Sequence, residues 1–170
     1  MDVRRVWTAI LVLVVILLLG FTLIQSGLVP MPWTEDRATV TIVGDGETKA
    51  TVAVEVADTR EERYTGLSEH ESLEDGEGML FVHRTESERT YVMRDMDFDI
   101  DIVFIGSDGE ITTVHHARAP EPGEDGEDLR YSGRAKWVLE VPRGYVNETG
   151  IEVGDEIEIE YVEEPSANSS

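Results

Sequence analysis

The chain has 170 residues, 36 of them acidic and 14 basic, a net charge of −22 and no cysteine. That length allows one domain with an appendage, the missing thiols exclude disulfides and cysteine chemistry, and the lack of any basic stripe argues against nucleic-acid binding. Only two of the basic residues are lysines, Lys49 and Lys136. A carboxylate coat with so little lysine is the composition of an acidic, halophilic protein, in which concentrated salt screens the self-repulsion.

The first element is apolar. From Val6 to Ile24 only Thr8, Gly20 and Thr22 interrupt the run, which as a helix reaches about 28 Å and predicts a transmembrane segment. Arg4 and Arg5 precede it, and Glu35 and Asp36 follow. The positive-inside rule then places residues 1–5 in the cytoplasm, 6–24 in the cell membrane as a single-pass anchor, 25–37 in a stalk, and the remainder outside. A cleaved signal peptide would have a shorter apolar core and a small-residue cleavage site, for which Gln25-Ser26-Gly27 is a poor match.

Beyond the stalk, Ala38 to Val43 alternates as a strand, Gly44 to Glu47 turns, and Thr48 to Ala57 returns with Val52, Val54 and Val56 on one face. Asp58 with Glu61 predicts the N-terminus of a two-turn helix ending near Leu67. Gly78–Val82 and Tyr91–Asp95 read as two strands separated by a polar turn, His83–Arg89, and Ile100–Ile105 and Ile111–Ala117 as two more. Residues 118–134 carry Pro120, Pro122, Gly123, Gly126 and five carboxylates without periodicity, which predicts a mobile insertion or, alternatively, a functional flap. Lys136–Val141 and Glu156–Val162 are the last strands, with a short turn or helix at Gly144–Gly150 between them, and residues 163–170 read as a disordered tail. The expected fold is mainly β. It is a compact antiparallel β-barrel or sandwich of about seven or eight short strands with one or two short helices, spanning residues 38–162 behind the transmembrane helix.

One residue breaks the apolar pattern. Asp101 lies inside Ile100–Ile105, and the period of two puts Val103 and Ile105 on its face. A carboxylate there has to be paired, hydrogen-bonded or neutral. Arg94 lies across what reads as a hairpin, close enough to reach Asp101 as a bidentate partner. Such a pair is either a structural staple or the polar floor of a pocket lined by Met79, Phe81, Tyr91 and Met93, suited to a small polar or anionic ligand. The alternative is a hydrolase or isomerase with Asp101 as acid or base and Arg94 as anion holder.

No metal or cofactor site is expected. His115 and His116 are adjacent on a strand and point to opposite faces. The acidic cluster in 121–128 lacks the ligand order of a calcium loop. No nucleophile motif or phosphate-binding glycine loop occurs.

The ordered series Gly66-Leu67, Gly78-Met79-Leu80-Phe81-Val82, Tyr91-Val92-Met93-Arg94-Asp95, Ile100 to Ile105, Pro120, Val138-Leu139-Glu140-Val141, Gly144, and Gly150-Ile151 through Gly154-Asp155 resembles the domain of unknown function 192 family over about residues 50–162. The resemblance implies a compact, mostly β domain, often exported or membrane-anchored, with no established activity. Its central signature usually reads Phe-Trp-Met-Lys-Asn followed by Pro-Leu-Asp-Ile. Here Tyr91 and Val92 replace the aromatic pair, Arg94 the lysine, Asp95 the asparagine and Asp99 the proline, while Met93 and Asp101 are kept. The expectation is therefore an uncharacterised extracytoplasmic binding or accessory module working through the Arg94/Asp101 region.

Overall fold

The computed structural model describes residues 36–162. The transmembrane run at 6–24, the N-terminal segment before it, nearly all of the stalk and the tail at 163–170 lie outside the described residues. No helix among the described residues is long and apolar enough to cross a membrane.

Seven strands form one sheet: β1 (Arg37–Gly44), β2 (Glu47–Ala57), β3 (Glu77–Val92), β4 (Ile100–Ile105), β5 (Ile111–Ala117), β6 (Arg130–Pro142) and β7 (Glu156–Tyr161), in the order β5-β4-β6-β3-β2-β1-β7. Two short helices accompany them, α1 (Arg60–Thr65) and α2 (Tyr145–Thr149), with a 3₁₀ turn at Gly126–Asp128. The sheet is not wholly antiparallel, because β2 and β3 run parallel. Parallel neighbours need a long crossover, and residues 58–76, which contain α1, supply it. Nor is it a closed barrel. The edge strands β5 and β7 meet only around their first residues, through a Glu110–Glu156 bridge and the backbone bonds Ile111 N–H to Asp155 O (2.8 Å) and Ile157 N–H to Gly109 O (2.9 Å).

Apolar residues cover both faces of the sheet. One cluster gathers Val40, Ile42, Val52, Val54, Leu80, Val103, Ile105, Leu139 and Val141. The other gathers Met79, Phe81, Met93, Met96, Ile100, Ile102, Phe104 and Val138. Strand β4 is buried at all six positions, which is why it reads as a nearly unbroken apolar run.

Several boundaries differ from the sequence reading. The expected turn at His83–Arg89 is strand: β3 continues to Val92 against β6, with a register shift between Val82 and Ser87 that leaves extra residues on β3. The last five residues of the expected flap are strand, since β6 begins at Arg130. The flap's first half is held down by the bidentate Arg118–Glu124 pair (2.6 and 2.7 Å) and by the Met93 N–H bonded to Gly126 O (3.0 Å). A β-carbon on Gly126 would lie 2.1 Å from that Met93 carbonyl, so only glycine permits the approach. The helix cap falls one residue later than expected. Thr59 accepts the Glu62 N–H at 3.2 Å while Glu62 accepts the Thr59 N–H at 3.0 Å, a complete capping box.

Candidate functional site

Asp101 is fully buried and shares its face with Val103 and Ile105, as the period of two requires. Its partners are not those expected. Oδ1 accepts from His116 Nδ1 at 2.6 Å and from Arg143 Nη1 at 3.2 Å; Oδ2 accepts the backbone N–H groups of Gly144 (3.0 Å) and Val146 (3.2 Å). The carboxylate thus satisfies two of the N–H groups that the start of α2 leaves without helical acceptors. It fastens β4 to β5 and to the β6–α2 turn.

Arg94 is elsewhere. Its Nε donates to Glu127 at 2.7 Å, Nη1 donates to the Tyr64 carbonyl at 3.1 Å, and the guanidinium lies 4.1 Å from the Tyr64 ring centre. The hairpin that would join Arg94 to Asp101 does not form, because β4 pairs with β5 and β6, and β6 separates it from β3. Asp95, the position where the family pattern carries asparagine, has φ of 53°. Asparagine and aspartate both tolerate that left-handed conformation, so the exchange preserves the turn.

A cleft of about 380 Å³ opens on the opposite face of the sheet from Asp101. Its walls come from α1 and the turn after it (Arg63 to Ser68), from β3 (Phe81, His83 and Glu88 to Val92), and from Arg94 and Met96. Ile100 and Glu140 also line it. Of the residues singled out in the sequence, Arg94, Tyr91 and Phe81 line the cleft, Met79 and Met93 belong to the buried cluster on the same face, and Asp101 does neither.

Glu140 is the residue the sequence reading passed over. It sits on β6 in register with Met79 of β3 and Ile102 of β4, only 5 % exposed. Burial alone pushes its carboxyl up to about 8, with no cation or hydrogen-bond donor acting against the shift. It is therefore largely protonated at neutral pH. Beside it, the Tyr91 hydroxyl lies 3.0 Å from His83 Nε2. Burial, reinforced by Arg89 and Arg63, pushes the His83 imidazole down to about 4, and burial raises the Tyr91 phenol further above its ordinary range. Three titratable groups in this part of the cleft are thus uncharged at neutral pH.

The histidines of β5 diverge as expected. His116 meets Asp101, whereas His115 donates through Nε2 to the Ser132 carbonyl at 2.8 Å and packs against Phe104 and Tyr131. Among the described residues no group of three or more His, Cys, Asp or Glu side chains is placed to hold a metal.

Comparison with known proteins places this geometry in a family. The DUF192 model, described as an uncharacterized ACR, matches residues 40–159. A UPF0127 protein of Thermococcus sibiricus is 29 % identical over 117 residues, covering 67 % of this chain and 70 % of that one. A Sinorhizobium meliloti crystal structure, provisionally described as a transcription regulator, superposes with a TM-score of 0.64 at 26 % identity, over 76 % of this chain and 97 % of its own. A protein of unknown function from Novosphingobium aromaticivorans gives 0.65 at 28 % identity, over 75 % and 89 %. The chain belongs to the DUF192 family.

Proposed function

We propose that this DUF192 member is a small-molecule binding domain whose site is the cleft over Glu140. The observation that carries this reading is the Glu140 carboxyl itself: buried, unpaired by any cation, and lining a concave surface of ligand size. Keeping such a group inside a fold is costly unless something uses it, and perturbed carboxyls in clefts mark functional sites. Tyr91, Phe81 and Arg94, expected from the sequence, serve this site. Arg94 does so by fixing α1 as one wall, and Asp101 is assigned to the scaffold. The test is a ligand screen by thermal shift on the full chain in detergent. A hit whose effect disappears in Glu140→Gln supports the site, and hits indifferent to that substitution place binding elsewhere.

A second reading, a hydrolase or isomerase, has one observation in its favour. A carboxyl that ionises near 8 is matched to proton transfer at neutral pH. In that reading Glu140, not Asp101, is the acid or base. Direct nucleic-acid binding sits poorly with a net charge of −22.

The domain's setting is part of the same proposal: residues 6–24 anchor it in the cell membrane, residues 38–162 stand outside the cytoplasm, and the acidic surface is adapted to concentrated salt. Because the chain has no cysteine, Ser107→Cys introduces a unique thiol. Labelling by a membrane-impermeant maleimide in intact cells is the expected result, and labelling only after lysis would refute the topology. Thermal stability should rise with potassium chloride well beyond physiological strength.

A further inference from the structure

Two half-buried arginines of the cleft have no carboxylate partner among the described residues. Arg63 donates through Nη1 to the carbonyls of Asp58 and Val82, and Arg89 through Nη2 to the Thr85 carbonyl. Neither makes an ion pair among the described residues; Arg37, Arg60, Arg84 and Arg130 make none either, but those four are exposed, whereas Arg63 and Arg89 are half-buried. Arg89 Nε is buried and has no hydrogen-bond partner. Both residues line the cleft together with His83, whose imidazole both hold back from becoming charged and whose Nε2 lies 3.0 Å from the Tyr91 hydroxyl. The acidic residues of the cleft do not compensate them. Glu140 is largely neutral, and Glu88 is exposed and makes no ion pair among the described residues.

In a chain with 36 carboxylates against 14 basic groups, two half-buried guanidiniums without a carboxylate are an unfilled requirement. Guanidinium forks match the planar or tetrahedral oxygens of carboxylate and phosphate groups. We infer that the cleft is an oxyanion site: Arg63 and Arg89 hold the carboxylate or phosphate group of a small molecule whose uncharged end reaches Glu140. This deepens the binding reading above and rests on it. An uncharged floor under a cationic pair selects a compound with a single anionic head group and a neutral body, and it disfavours compounds that would bring a second charged group down onto the buried carboxyl.

The test uses the full chain in detergent with acetate, inorganic phosphate and the neutral isostere acetamide, followed by nuclear magnetic resonance on His83 and the Arg89 side chain. An oxyanion between the guanidiniums should raise the His83 pKa from about 4 and shift the Arg89 Nε–H signal, while acetamide leaves both in place. Arg63→Gln and Arg89→Gln should each weaken the response by about tenfold or more, whereas Arg118→Gln, on the remote loop, should not. Acetate acting without phosphate, or the reverse, identifies the class. Equal responses to acetate and acetamide would overturn the oxyanion assignment and leave a polar binding site intact. No response to any of the three would overturn the assignment too; the binding reading falls separately, if screening hits ignore Glu140→Gln. Should an arginine variant fail to fold, the wild-type His83 titration still decides.

Discussion

Asp101 and Glu140 are both carboxyl residues buried in apolar strands of one sheet, and they face opposite ways. Asp101 accepts four hydrogen bonds, two from cationic or ring donors and two from backbone N–H groups at the start of α2. Glu140 sits among Met79, Ile102 and Val138 with burial as its only perturbation. The first is saturated from within the protein and has no capacity left for a ligand. The second has unused hydrogen-bonding capacity beside a cleft. What separates a scaffold carboxylate from a site carboxyl is thus not burial, which both share, but whether the fold has already satisfied it.

The comparison breaks most directly at Asp101. Truncation to alanine strands the His116, Arg143, Gly144 and Val146 donors and should cost about 3–5 kcal/mol of stability, read as a large fall in the denaturation midpoint. Asp101→Asn, which keeps the shape, should cost less. Glu140→Gln should do the opposite in a pH-dependent way. The unfolded chain gives up the Glu140 proton near 4.5 and the folded chain holds it to about 8, so the wild type loses stability relative to the variant as pH rises through that interval. The slope is about 1.4 kcal/mol per pH unit, levelling off above the folded value. Urea melts at a series of pH values check this, and parallel curves for the two proteins would contradict it.

Smaller effects sharpen the two surroundings. Thr59→Ala removes half of the α1 capping box and should cost about 1 kcal/mol, loosening the wall that carries Arg63. His83 works against Glu140 in sign. Its imidazole resists protonation when folded, so its stabilising contribution is present above the ordinary histidine range and is lost as pH falls from 6.5 towards 4. The imidazole is half-exposed, and replacing it with asparagine should flatten only a slight acid loss.

Much of the scaffold could be read in the residues. The alternation of β1, β2 and β7 and the apolar run of β4 signal themselves locally. So did Asp101, since one carboxylate inside six apolar residues has to be satisfied, and it is. His116 lies directly across the β4–β5 pair from it, but Arg143, Gly144 and Val146 were not legible, because they lie 42 to 45 residues away and depend on β6 inserting between β3 and β4. The same insertion undid the expected Arg94–Asp101 pair. The middle of β3 was hidden by its own chemistry: Arg84, Thr85, Ser87 and Glu88 are exposed, so the segment carries the polarity of a turn, although the strand resumes its pairing with β6 at Ser87. That error concealed His83 and Arg89. Glu140 could have been found by the argument applied to Asp101, as it too stands inside an apolar strand.

The central claim is that Glu140 is a neutral acid held ready in a ligand cleft. Carbon-13 nuclear magnetic resonance of the glutamate side-chain carboxyls, with Glu140→Gln to assign the signal, measures it directly. One carboxyl is expected to titrate at about 8 and to move when a cleft ligand is added. A Glu140 signal that titrates with the other glutamates near 4.5, whatever is added, would contradict it.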